Sequence, residues 1–202
     1  MPRVYALTDV ELAECSHAEQ VELLSLGGAS LIQLREKRMP ALEFYEHAKA
    51  AVAVGVPLII NDRVDVALAV GARGVHLGQD DLPPEAARKL LGSDAIVGYS
   101  THNIDQALEA VKLPIDYLAI GPIFPTTSKS DTFPVIGLEG LRAVRAAIGK
   151  FPLVAIGGIT HENARDVISA GADSVAVISA VLRDPNRITE MTQDLIQSLA
   201  SA

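Results

Sequence analysis

The sequence has a single cysteine, Cys15, so no internal disulfide is possible and a disulfide-stapled secreted scaffold is excluded. No apolar stretch approaches the roughly 20 residues that a membrane-spanning helix needs. The chain does not open on a charged segment followed by an apolar one, so the cytoplasm is the expected location. Positive charge is also scarce. Seventeen Lys and Arg face 25 Asp and Glu, a formal charge of -8, which argues against nonspecific binding to nucleic acid or an anionic membrane. No Ser-His-Asp set stands out, and Cys15, in "ELAECSHAEQ", has no basic neighbour to activate it and is read as structural.

What remains is a 202-residue chain, 49% hydrophobic, long enough to bury a large core as one domain over residues 1–202. Short apolar, β-branched runs recur about every 25 residues. They are "VYALT" from Val4, "LIQL" from Leu31, "PLII" from Pro57, "GVHL" from Gly74, "AIVGY" from Ala95, "YLAIG" from Tyr117, "PLVAIGG" from Pro152 and "SVAVIS" from Ser174. Between them lie stretches of helical spacing, among them "ALEFYEHAKAAVAVG", "PPEAARKLLG", "NIDQALEAVK", "LEGLRAVRAAIG" and "HENARDVISAG". Strands that alternate with helices pair in parallel, and runs apolar on both faces belong to a sheet covered on both sides. Eight such units predict an α/β fold closed as a (β/α)8 TIM barrel. An open doubly wound sheet is the alternative, but no glycine-rich fingerprint follows the first strand.

In a barrel the residues after each strand converge on one mouth. Here they are Thr8 and Asp9; Gln33, Arg35 and Lys37; Asn61 and Asp62; Gln79 to Asp81; and Ser100 and His102. The second half adds Gly121 to Lys129, Gly157 and Gly158, and Ile178 and Ser179. Asp62 and Asp81 end neighbouring units and can hold a cation between them. Two hard oxygen donors without Cys or His favour Mg2+ over Zn2+, with waters and phosphate oxygens completing the shell. Either aspartate could instead cap a helix. "REKR" gathers Arg35, Lys37 and Arg38, where an anionic small molecule could bind. The turns "AIGGIT" and "AVISA" should present backbone N–H groups at helix starts suited to phosphate, although a tight turn needing glycine explains "GG" equally well. The stretch from Gly121 to Gly137, "GPIFPTTSKSDTFPVIG", is about 17 residues, long enough for a lid. His102, near a helix start, either transfers a proton or satisfies backbone groups. His76 is expected to pack, and His17, His47 and His161 to be solvated.

"QLREK", "LIINDRVDVALAVGARGVHLGQDDLP", "GYSTHN", "AIGPIFPTTSK", "AIGGIT" and "AVISA" closely resemble the thiamine-phosphate synthase family, from Tyr5 to about Pro185. The resemblance implies a TIM-barrel transferase of thiamine biosynthesis. It would join hydroxymethylpyrimidine diphosphate to a thiazole phosphate, carboxylated or not, and release pyrophosphate. By motif position, Gln33, Arg35, Lys37, Asn61, Ser100 and Lys129 would contact the pyrimidine diphosphate, with Arg35, Lys37, Ser100 and Lys129 acting in catalysis. Asp62 and Asp81 would hold Mg2+. Thr126, Thr127, Ser128, Gly158, Ile178 and Ser179 would take the thiazole phosphate. The expected partners are these small molecules, with neither nucleic acid nor membrane, and a homo-oligomer is compatible. A thiazole tautomerase would share the barrel but not need the diphosphate and Mg2+ residues, and a noncatalytic phosphate-binding barrel is the rival from another class.

Overall fold

The computed structural model of the protein describes residues 1–126 and 133–200. Among the described residues eight parallel strands close into a barrel in chain order. They are β1 (Val4–Leu7), β2 (Ile32–Leu34), β3 (Leu58–Asn61), β4 (Gly74–Leu77), β5 (Ile96–Thr101), β6 (Tyr117–Ile120), β7 (Leu153–Ile156) and β8 (Ser174–Val177). Closure is made by β8 against β1, with Val4 beside Val175 and Ala6 beside Val177. All eight runs predicted from periodicity are strands, because each is buried on the barrel side and the helix side alike.

Helices α1 (Val10–Ala13) and α2 (His17–Leu26) follow β1, and α3 (Ala41–Val52), α4 (Val64–Val70), α5 (Pro84–Leu91) and α6 (Ile104–Ala110) follow β2 to β5. Then come α7 (Gly137–Ile148), α8 (Ala164–Ser169), α9 (Ser179–Leu182) and, after a 3-10 turn, α10 (Ile188–Ala200). None of the described helices is long and apolar enough to cross a membrane.

The barrel interior is filled by two crossed tyrosines. Tyr5 and Tyr117 meet edge to face, 5.9 Å between ring centroids, with their hydroxyls 3.0 Å apart. Gly98 makes room for them, since a Cβ there would lie 2.0 Å from the Tyr117 ring.

The N-terminal end is tied by two matching clips. Arg145 of α7 donates to the carbonyls of Gly149, Phe151 and Gly171 and to Asp173 Oδ2 at 2.6 Å. The same Asp173 oxygen accepts from Leu153 N at 2.8 Å, so one carboxylate joins α7 to the first residue of β7. One pair of units earlier, Arg88 and Asp116 repeat the arrangement around Val97 N, again 28 residues apart. These clips lie away from the mouth, where the fold keeps its stabilising contacts. Asp173→Ala strands the Leu153 N–H and the Arg145 guanidinium. It should cost about 1 kcal/mol and lower Tm by roughly 2–4 °C, with kcat unchanged; an unshifted Tm would show the clip to be idle.

Candidate active site

A cavity of about 730 Å3 opens at the C-terminal ends of the strands. Gln33, Arg35, Lys37, Asn61, Asp62, Asp81, Ser100, Thr126, Gly158, Ile178 and Ser179 all line it. Every candidate residue within the described segments is therefore brought to one space. Thr127, Ser128 and Lys129 lie outside the described residues.

The carboxylates come together as their spacing predicts. Asp62 stands directly after β3 with φ 62°, a left-handed conformation uncommon outside glycine but tolerated by Asp and Asn. It is held by its N–H to the His76 carbonyl at 2.8 Å. Asp81 reaches back so that its Oδ2 accepts from Gly78 N at 2.6 Å. Neither acid caps a helix: α4 is preceded by Arg63 and α5 by Pro83, and no side chain caps either. Burial, then the neighbouring Asp81 carboxyl, raise the Asp62 carboxyl to about 6, against the pull of Lys37 and Arg35. Two neighbouring carboxyls offer hard oxygen donors that could take a divalent cation. Among the described residues no group of three or more His, Cys, Asp and Glu gathers that could hold a metal.

The "REKR" cluster divides. Arg35 and Lys37 line the cavity, whereas Arg38 turns outward to pair with Glu11 at 2.8 Å, both side chains exposed. Asn61 is 6% exposed and lines the cavity, and its buried Nδ2 has no hydrogen-bond partner among the described residues.

Beneath these residues runs a buried polar chain. Gln33 Nε2 donates to the Tyr5 hydroxyl at 3.0 Å, Tyr5 meets Tyr117 at 3.0 Å, Tyr117 meets His76 Nδ1 at 2.9 Å, and His76 Nε2 meets Ser100 Oγ at 2.8 Å. Burial holds both phenols well above their ordinary value, so they stay protonated. With Gln33 donating to it, Tyr5 donates its O–H to Tyr117, and Tyr117 donates its O–H to Nδ1. The Nε2–H of His76 then points at Ser100, leaving the serine hydroxyl proton for the cavity. His76 thus does more than pack. Its signal was its register: it pairs with Asn61, so it occupies the last inward position of its strand, where barrel sites are built.

Other expectations need correction. His17 is fully buried, not solvated, and His161 is half-buried with its Nε2 against the Met191 carbonyl. Thr8 is fully buried and turned away from the mouth, and Asp9 caps α1 through Leu12 N. His102 donates from Nδ1 to the Gly121 carbonyl at 2.7 Å and stacks on Phe133, which ties the two ends of the long loop. The turn after β7 does not open a helix. Asn163 accepts from Thr160 N and donates to the Gly158 carbonyl, so α8 begins only at Ala164. Gly158 has φ 64°, and a Cβ would meet the Pro125 carbonyl at 2.6 Å. The glycine is required by the β6 loop packed on it, whether or not a phosphate sits there.

With this geometry in place, comparison with known proteins is decisive. The sequence matches the model of the family described as thiamine monophosphate synthase over residues 4–181. The chain belongs to that family. It is 51% identical to thiamine-phosphate synthase of Koribacter versatilis, covering 96% of each chain, and 50% identical to that of Chloroflexus aurantiacus, covering 89% of this chain and 85% of the relative. The structure of thiamine phosphate pyrophosphorylase from Pyrococcus furiosus superposes with a TM-score of 0.87 at 40% identity, covering 98% of this chain and 96% of that one. Synthases of this family are enzymes, and this chain is one of them.

The raised Asp62 carboxyl gives this site a signature. Asp62 has its folded value raised above its unfolded one, so stability falls as pH rises from about 4 to about 6 and stays at the lower level above that. In chelator, Asp62→Asn should raise Tm relative to the unsubstituted protein at pH 7, by roughly 2–4 °C per kcal/mol relieved. Near pH 4 that gain should largely vanish. A gain of equal size at both pH values would mean that backbone relief at φ 62°, rather than charge, is the cause.

Proposed function

We propose that this chain condenses 4-amino-2-methyl-5-(diphosphooxymethyl)pyrimidine with a thiazole phosphate, forming thiamine phosphate and pyrophosphate, with CO2 if the thiazole is carboxylated. The observation that carries the reading is that Asp62, Asp81, Arg35 and Lys37 line one cavity, with both cations acting on the Asp62 carboxyl. That arrangement suits a diphosphate with a divalent cation, and a thiazole tautomerase would need neither half of it.

Arg35 can grip two phosphate oxygens with its planar fork, while Lys37 offers a point charge. Asp62 and Asp81 would hold Mg2+, which when bound supplies neutralising charge to the departing pyrophosphate. Asn61 and Gln33 both line the cavity and keep amide hydrogen-bonding capacity unused, so the two can read ring nitrogen and amino group. Ser100, its oxygen engaged by His76, can donate to a leaving oxygen.

The pyrimidine amino group can push out pyrophosphate and leave a stabilised benzylic-type cation, and the thiazole nitrogen attacks with a lone pair it already has. No side chain need act as nucleophile, which agrees with the absence of an activated serine or cysteine from the sequence reading. What the protein supplies is alignment of two substrates and stabilisation of a leaving dianion. On the facing side Thr126, Gly158, Ile178 and Ser179 border the space that suits the thiazole phosphate. Thr127, Ser128 and Lys129 would complete the two ends from the long loop, Lys129 toward the diphosphate.

Pyrophosphate release should require both substrates and added Mg2+, with little release from the diphosphate alone. Asp81→Asn should keep the fold and raise the Mg2+ needed for half-maximal rate by roughly tenfold or more. Release without metal, or an Asp81→Asn variant with unaltered metal demand, would refute the assignment. Turnover of a thiazole phosphate alone would favour the tautomerase.

A further inference from the structure

Arg35 and Lys37 are presented by a six-residue loop between β2 and α3, and that loop is held from behind. Glu36, between the two cations, folds back so that Oε1 accepts from three successive backbone N–H groups: Lys37 at 2.7 Å, Arg38 at 2.7 Å and Met39 at 3.3 Å. Its other oxygen faces inward, 3.9 Å from Nε2 of the buried His17. His17, in the first turn of α2, is packed edge-on against Phe44 and His47 of α3. On its far side Nδ1 lies 2.7 Å from Thr8 Oγ1, and that same oxygen accepts from Arg35 N at 3.2 Å.

The contacts favour one tautomer, although His17 Nε2 lies too far from Glu36 for a hydrogen bond and has no other hydrogen-bond partner among the described residues. Thr8 uses an oxygen lone pair for Arg35 N, and its hydroxyl proton goes to His17 Nδ1. The imidazole proton then sits on Nε2 and faces the Glu36 carboxylate. The opposite tautomer would aim a lone pair at a carboxylate. Burial, outweighing the attraction of Glu36, lowers His17 to about 4, so it is neutral at pH 7. Burial opposes the Glu36 charge, but the three N–H groups outweigh it and keep the carboxyl below its ordinary value.

We propose that Glu36, backed by His17 and Thr8, is a positioning residue: it sets the backbone of residues 35–39 so that Arg35 and Lys37 point into the cavity at the spacing a diphosphate requires. This rests on the reading that these two cations take the diphosphate. Glu36 itself does not line the cavity, so its effect has to travel through the loop backbone. A carboxylate is suited to the task because it can accept several N–H bonds at once, where a neutral side chain of equal length offers fewer lone pairs and no charge.

The test compares Glu36→Ala, Glu36→Gln and Arg35→Met, each with steady-state kinetics in both substrates and a melting curve. Glu36→Ala should lower kcat/KM for the pyrimidine diphosphate by roughly 10- to 100-fold, the scale of a misplaced binding group. The KM for the thiazole phosphate should stay within about twofold, because that end is built from other loops. Glu36→Gln keeps an acceptor of the same reach and should recover a large part of the loss. Equal losses for both substrates together with a fall in Tm would make Glu36 merely structural and overturn the proposal. So would an Ala variant that behaves like the unsubstituted enzyme while Arg35→Met is impaired. If Arg35→Met leaves use of the diphosphate unchanged, the underlying assignment of the cations fails instead, and the positioning role falls with it.

Discussion

Two carboxyl groups forced together at the end of β3 and β4 are the constraint on which the rest of the mouth depends. Buried beside Asp81, the Asp62 carboxyl is harder to ionise, and it stands on a left-handed backbone. Arg35 and Lys37, which line the same cavity, act against that shift. A ligand carrying several negative charges, taken up with a divalent cation, would satisfy both sides at once. The aspartates then gain an ion and the cations gain phosphate oxygens, which is why the two halves need to be read as one site.

Behind that surface are two supporting layers of different kinds. The chain from Gln33 through both tyrosines and His76 to Ser100 fixes which atoms donate into the cavity, and its buried, protonated phenols act as relays of direction rather than as acids. The Thr8, His17 and Glu36 bracket sets where charge is placed, through backbone rather than side-chain contact. Rigid elements carry both, and the N-terminal clips of Arg88 and Arg145 hold the other end of the barrel closed. Stability and chemistry are thus assigned to opposite ends.

The strands were legible because a four-residue segment buried on both faces must be apolar throughout, as "YLAI" is. The cavity lining was legible where a strand ends in polar residues or is followed by one, as with Asn61, Asp62 and Ser100. It failed where the deciding partner is distant in sequence. Nothing near His17 announces that Thr8 and Glu36 will enclose it, and His76 looks like a packed strand residue until its register with Asn61 is known. The turn after β7 misled for a local reason: "GGIT" resembles a helix start, but the Asn163 side chain closes a wider turn first. Glu36 was hidden by its neighbours, one acid among cations in "REKR", whose work is done on backbone N–H groups.

If the Asp62 proton is what a cation displaces, metal binding has to be visible as proton release. Titrating the metal-free protein with Mg2+ by calorimetry, in buffers of different ionisation enthalpy, counts protons released per ion bound. With Asp62 raised to about 6, about half a proton should leave at pH 6 and close to none at pH 8, and Asp62→Asn should abolish the release. Mg2+ binding with no proton release at pH 6, or release that persists in Asp62→Asn, would contradict the account.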